Sequence, residues 1–324
     1  MITVKIIADS INPKDCRLTS WVLEYPRFVH AELMTHRVFS KNSASSRAIP
    51  IETMIKQIQD NPAMPEWWGK NQSGMQAKEE IEDVDIPYDL YRLDKDAPYW
   101  YDNSGVINHK QTVKKLWLLA RDSAIQHAKW MSDLGLHKQI TNRILEPWFH
   151  IRVILTGTEF DNWFALRAHP DAQPEIRVLA EKMLELYNAS EPKSLAPGSW
   201  HIPFGDNIDE QKLIKAAENQ NEYHARGVVK DLYLNDLKRK IAIARCARVS
   251  YLNFEGKDDY AADIKLCDRL FANNPKHLSP TEHVAQSLNS NQFIGNFRGW
   301  KQYRKFFSDE SLTDSRVVKK SYKK

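Results

Sequence analysis

Between Thr35 and Arg47 the chain reads Thr-His-Arg-Val-Phe-Ser-Lys-Asn-Ser-Ala-Ser-Ser-Arg. This stretch carries an imidazole (His36), two guanidinium groups (Arg37, Arg47), an ammonium (Lys41), an amide (Asn42) and the hydroxyls of Ser40, Ser43, Ser45 and Ser46. Backbone N–H groups flanked by small side chains can converge on an anion, and arginine forks add bidentate contacts to phosphate oxygens. The chemistry that suits these residues is phosphate recognition. They also suit a solvated polar loop after a helix, and composition alone does not choose between the two.

Other reactive residues are sparser. Cys16, Cys246 and Cys267 are too few and too scattered for a disulfide framework or a zinc cluster. His30/His36 and His277/His283 are each spaced off helical register, and no H-E-x-x-H occurs, so no metal site is expected. Gln139 and Arg143, four residues apart in a helix-like stretch, can face one ligand.

The framework that must hold these groups is not a glycine-loop fold. Average usage would give about 23 glycines in 324 residues; the chain has 11, against 10 tryptophans. None has the spacing of a dinucleotide fingerprint or a phosphate loop, so a bound nucleotide is held by other means. Lys plus Arg number 46 and Asp plus Glu 42, a net charge of +4, which argues against a dedicated nucleic-acid-binding surface. Mean hydropathy is −0.58 and no long apolar run occurs, which predicts no membrane span. With no leader-like N-terminus, the expectation is a reduced, cytoplasmic protein.

Strands are expected at Ile2–Ala8, Leu18–Tyr25 and Ile151–Leu155, and helices at Pro26–Arg37, 113–131, 136–146, 209–222 and 235–248, with another opened by Pro174. Residues 60–110 read as a long loop region studded with Trp67, Trp68, Tyr88, Tyr91, Tyr99 and Trp100, and 190–207 as a linker. A second strand–helix unit is expected at His283–Leu288 plus Gln292–Lys305. The fold class is α+β, with no Rossmann domain. The division is 1–190, a loop 191–208, a second region 209–316 and a basic tail 317–324.

The Thr35–Arg47 segment resembles the signature of the flavin-dependent thymidylate synthase (ThyX) family, R-H-R-x-x-S-x-N-E-x-S-x-R. His36, Arg37, Ser40, Asn42, Ser45 and Arg47 match in register; Thr35 and Ser43 stand where the family has Arg and Glu. His137–Pro147 resembles the family helix that carries a nucleotide-binding arginine. Asn162–Arg177 resembles its N-F-x-x-L-R-x-x-x-x-A-Q-x-E-I-R stretch. Ala244–Tyr251 resembles A-A-R-V-S-F, and His277–His283 resembles H-E-T-P-F-E-H. In the family these last two precede the signature. Here they follow it, as in a permuted or partly duplicated chain.

The resemblance implies a mixed α+β fold with an antiparallel-type sheet packed by helices and long aromatic-rich loops. It also implies a homo-oligomer, tetramer or dimer, that methylates dUMP to dTMP. FAD would be the cofactor, with NADPH and methylenetetrahydrofolate as co-substrates. Arg167 would stabilise charge on the pyrimidine, with Glu32, Ser43, Ser45, Arg47, Gln139 and Arg143 also binding substrate. His36, Arg37, Ser40, Asn42, Asn162, Ser279 and Glu282 would hold the flavin. The departures at Thr35 and Ser43 leave open another pyrimidine nucleotide such as dCMP, or a hydroxymethyl product. A non-catalytic nucleotide- or nucleic-acid-binding relative is the reading from a different class. Gln302 and Arg304 of the second unit could add polar contacts to the site. The clusters around Trp67 and Trp200 could stack on a planar ring, but satellite cores under long loops account for them better.

Overall fold

β-Branched and aromatic residues alternating with polar ones build a central sheet whose two faces are both covered. The structure is a computed structural model that describes residues 1–83, 85–87, 106–218, 230–249, 259–273 and 275–311. Its first elements are β1 (Thr3–Ile11), β2 (Arg17–Pro26), α1 (His30–Met34), β3 (Ser40–Ser43) and α2 (Ile51–Asp60). There follow β4 (Asp85–Pro87), β5 (Val106–Asn108), α3 (His109–Asp133), α4 (Lys138–Thr141), β6 (His150–Gly157), α5 (Asp161–Arg167) and α6 (Pro174–Ala189). The remainder comprises β7 (Lys193–Ser194), β8 (Trp200–His201), α7 (Glu210–Glu218), α8 (Lys230–Arg248), α9 (Tyr260–Ala272), β9 (Ala285–Ser287), β10 (Phe293–Ile294), β11 (Phe297–Arg298) and β12 (Trp300–Gln302). Tyr88, Tyr91, Tyr99, Trp100, Ser250, Tyr251 and the tail 317–324 lie outside the described residues.

The sheet runs β3-β6-β2-β1-β7, antiparallel throughout except for the short β1–β7 pairing. This is the antiparallel, helix-packed α+β class that the sequence implies. Because strand side chains alternate, the two faces carry different residues. Trp21, Leu23, Tyr25, Ile151, Val153 and Leu155 join the main core, together with Trp163, Ile176, Leu179 and Met183 from α5 and α6. Ile7 and Ile154 face the other way, against Cys246 and Val249 at the end of α8. Leu18 packs with Ala285, Phe297 and Trp300. The chain beyond 200 therefore covers the sheet's second face. No helix among the described residues is long and apolar enough to cross a membrane.

A buried polar line runs through this second face. Ser10 Oγ contacts His201 Nδ1 at 2.9 Å, and His201 Nε2 lies 2.9 Å from Ser20 Oγ. Ser20 Oγ is 2.6 Å from Thr156 Oγ1, which is 2.9 Å from His283 Nδ1. Burial pushes both imidazoles down to about 3, so both are neutral. Apart from His283 Nε2, which is buried with no partner among the described residues, the groups of this line are paired, and paired polar groups in a core fix one arrangement of the layers. This line ties residues 201 and 283 to β1, β2 and β6.

Several elements differ from expectation. The expected Pro26–Arg37 helix is a 3-10 turn followed only by α1, and the Thr35 N–H already donates the closing bonds, to the carbonyls of Glu32 and Leu33. The expected 136–146 helix is α4 followed by a 3-10 segment, 142–148, that contains Pro147. Proline disfavours an α conformation in the residue before it, which tightens the final turns. Gln292–Lys305 is not a helix. It forms β10, β11, β12 and a terminal 3-10 turn, because Gly295 (φ +66) and Gly299 (φ +79) turn the backbone left-handed. The spacing of Phe293, Phe297 and Trp300 mimics a helical stripe, yet Phe293 is exposed while Phe297 and Trp300 are fully buried. The linker at 190–207 contributes β7 and β8 to sheets. Trp200 is packed by Tyr303 and Phe306, and Trp68 lies edge-on to Trp117, so both sit as satellites of the core.

Candidate functional site

The Ser-Lys-Asn-Ser run is too polar for a core but well suited to an edge, where one side of the strand meets solvent. It forms β3, which among the described residues pairs with β6 alone. Register decides what each residue faces. Ser40 and Asn42 lie opposite Thr156 and Ile154, whereas Lys41 and Ser43 lie opposite Leu155 and Val153. Ser40 and Asn42 thus share the face covered by the C-terminal region; Lys41 and Ser43 share the face of α1 and α5.

On the α5 face the site is built around His36. Trp163 and Arg167 are four residues apart on α5, so they project from the same side of that helix. Trp163 sets its edge against the His36 ring, with centroids 4.8 Å apart at 85°. Arg167 Nε then donates to His36 Nε2 at 3.0 Å, and Arg167 Nη2 reaches Thr35 Oγ1 at 3.4 Å. Nε2 accepts, so the His36 proton sits on Nδ1. Burial, Arg167 and Lys41 together lower His36 to about 4, which keeps the ring neutral. Lys41 Nζ donates to the His36 carbonyl at 2.5 Å, and burial lowers the ammonium to about 8. His30, hydrogen-bonded to Tyr25 at 2.7 Å, is lowered to about 4 by burial, Arg27 and Lys41.

Beyond β3 the chain turns under the 142–148 segment. Asn142 Nδ2 donates to the carbonyls of Ser46 (2.7 Å) and Ile49 (3.0 Å), and Lys138 Nζ donates to that of Ala48 (2.9 Å). Glu146 accepts from Ser46 Oγ at 2.6 Å and from Arg143 Nη1 at 2.7 Å. Ser45 and Arg47 lie in this turn, with Arg47 exposed. Gln139 is also exposed, and the break at Asn142 means that Gln139 and Arg143 do not share one α-helix.

On the opposite face the displaced segment 279–283 meets β3. Gln302 Nε2 donates to Ser40 Oγ at 2.8 Å and to the Glu282 carbonyl at 3.2 Å. Arg304 Nη1 donates to Glu282 Oε1 at 2.5 Å. Residues far apart in sequence thus converge on one strand. Asn162 and Ser279 are exposed and make no hydrogen bond to the signature among the described residues. Glu32, half-buried on α1, holds a buried Oε2 with no hydrogen-bond partner among the described residues.

The charge balance gives this edge its character. Arg37, Lys41, Arg47 and Arg167 form no ion pair with any carboxylate of the described residues; Arg143, 49% exposed, pairs with Glu146. Uncompensated cations at a strand edge suit an anionic ligand, and guanidinium forks suit phosphate in particular. That donor set fits a nucleotide phosphate and a dinucleotide diphosphate alike. His30 and Glu146 carried no sequence role, and Lys41, counted among the polar groups of the segment, was given none of its own because it occupies a variable position of the signature. Two clefts elsewhere, one beside Phe149 and Arg152 and one beside Trp67 and Trp68, include no signature residue.

Residues 16–193 match the family described as thymidylate synthase complementing protein. The flavin-dependent thymidylate synthase of Gluconobacter oxydans (strain 621H) is 26% identical over 177 residues, covering 54% of this chain and 50% of that protein. The chain thus spans about half the length of this relative. Among solved structures, a UMP/dUMP methylase, PolB from Streptomyces cacaoi, aligns in complexes with 5-Br dUMP and with 5-Br UMP. The first has 16% identity and TM-score 0.38 over 58% of this chain and 90% of that chain; the second has 17% and 0.41 over 58% and 89%.

Proposed function

The chain belongs to the thymidylate synthase complementing protein family, and from that premise we propose that it is a flavin-dependent enzyme that methylates dUMP to dTMP. Methylenetetrahydrofolate would donate the carbon and NADPH would reduce the bound FAD. The observation that carries this reading is the row of carboxylate-free cations along β3, set within the family signature.

In this reading Arg47, Arg143, Ser43, Ser45 and the backbone between them hold the nucleotide phosphate. Arg167 stabilises negative charge on the activated pyrimidine ring, which is the role a preorganised guanidinium performs best. Neutral His36 accepts from Arg167 Nε and fixes the fork, with Trp163 setting the ring's orientation. His36, Arg37, Ser40, Asn42, Asn162, Ser279 and Glu282 hold the flavin, which supplies the reducing equivalents when bound. Gln302 and Arg304 act through Ser40 and Glu282 and are positioning residues. None of Cys16, Cys246 and Cys267 is available for covalent attack, since all three are buried with thiols raised chiefly by desolvation. Binding and orientation therefore do the protein's share of the work.

We also propose a homo-oligomer. Met34, Val38 and Leu166, from α1, the following loop and α5, expose large apolar side chains beside the signature (47%, 42% and 53%). The direct test of the flavin reading is the absorption spectrum of purified protein. A yellow protein with an oxidised-flavin spectrum, or one that takes up added FAD, is expected. A colourless protein that binds no FAD but still binds dUMP would favour the non-catalytic reading.

A further inference from the structure

Lys41 is the cation at this site that neither the signature nor the proposed roles above account for. It sits within β3 opposite Leu155, on the sheet face that α5 covers. Its Nζ donates to a backbone carbonyl, that of His36, and lies 5.9 Å from the centroid of the Phe39 ring. No carboxylate of the described residues pairs with it. The titratable groups set against it are His30 from α1 and His36 from the loop before β3; Arg27 and Glu146 also act on His30, and Arg167 on His36.

A half-buried ammonium costs free energy to hold, and native proteins ordinarily repay that cost with a carboxylate. Here both neighbouring imidazoles are neutral, and the single carbonyl leaves two N–H donors for other partners. A half-buried ammonium with donors to spare and no counter-ion is suited to an incoming anion. The edge position of β3 leaves access from solvent.

We propose that Lys41 is an anion-binding residue of this site, taking a phosphate oxygen of the bound ligand. The inference rests on the nucleotide-binding reading above and adds a residue to it. Two sources share this chemistry, the monophosphate of a pyrimidine nucleotide and the diphosphate of a dinucleotide cofactor. Binding a dianion requires the ammonium form. Burial brings the Lys41 titration to about 8, so affinity holds below pH 8 and falls as pH rises beyond it. Arginine at the same position does not titrate in that range.

The experiment is a calorimetric titration of wild type, Lys41→Met and Lys41→Arg with dUMP, with FAD and with inorganic phosphate, at pH 7.0 and 9.5. Circular dichroism and melting temperature establish that each variant is folded. Lys41→Met should weaken the ligand that Lys41 holds by roughly ten- to a hundredfold, the range for a hydrogen bond to a charged group. Whichever of dUMP or FAD weakens identifies the source. Lys41→Arg should retain binding at pH 7.0 and lose the wild type's decline at pH 9.5. Unchanged affinity of Lys41→Met for all three probes would overturn the proposal, as would a Lys41→Arg protein that declines at pH 9.5 like the wild type. Wild-type protein that binds phosphate but neither dUMP nor FAD would retain the anion site and refute the nucleotide reading. Binding of none of the three would refute both.

Discussion

The buried histidines make the fold acid-sensitive by an amount that can be worked out. His201 and His283 lie in the line Ser10–His201–Ser20–Thr156–His283, at 1% and 0% exposure. Each titrates near 6.5 when unfolded, and burial lowers each to about 3 in the folded protein. Between these values the unfolded chain binds a proton that the folded chain does not. Stability is therefore complete above pH 6.5 and falls as the pH drops toward 3. Going from pH 7 to pH 5, the linkage relation gives a loss of about 2 kcal/mol for each histidine. His283→Gln removes one of the two titrations while keeping an amide to meet Thr156. Urea unfolding followed by tryptophan fluorescence, at pH 7 and pH 5, should show His283→Gln losing about 2 kcal/mol less than wild type between the two pH values. The comparison uses each protein's own change with pH, so the lower starting stability of the variant cancels. An equal acid-induced loss in both proteins would refute a neutral, buried His283 and the anchoring of residues 279–283 that depends on it.

Other outcomes follow from the same geometry. Arg167→Lys removes the Nε contact to His36 and should lower kcat/KM by about 10²–10³, as loss of one preorganised charge-stabilising donor does, while dUMP affinity changes far less. Gln302→Leu leaves Ser40 Oγ without its donor and should cost about 1–3 kcal/mol in urea unfolding. Gly299→Ala adds a Cβ 2.7 Å from the Ser290 carbonyl and 2.9 Å from Cys16 Cβ at φ +79. It should destabilise by more than about 2 kcal/mol. Gly198→Ala, also at positive φ but meeting nothing within 4 Å, should cost only about 1–2 kcal/mol in the same thermal and urea assays.

How much of this was legible beforehand depends on the range of the interaction involved. β1, β2, β6 and α6 are written in local patterns: β-branched runs, a proline at a helix start, an apolar stripe. The signature was legible because its residues are close in sequence. The third-strand role of Ser40–Ser43 was not, since a polar run becomes a strand only when β6 offers an edge. Gln292–Lys305 misled because Phe293, Phe297 and Trp300 share a helical spacing, whereas the backbone is set by Gly295 and Gly299. The meeting of Gln302 with Ser40, and of His283 with Thr156, joins residues more than a hundred positions apart. Sequence resemblance suggested that the C-terminal segments belong near the signature, and only the fold shows which atoms touch. Lys41 lay in plain view, but its lack of a counter-ion is a property of the packed site.

The central claim is that the β3 edge serves the methylation of a pyrimidine nucleotide. Purified protein incubated with dUMP, methylenetetrahydrofolate and NADPH, with dCMP run in parallel, tests it most directly. The expected product is dTMP from dUMP, dependent on both co-substrates and formed about 10²–10³ more slowly by Arg167→Lys. Absence of any 5-substituted product from either nucleotide, with FAD bound to the protein, would contradict it.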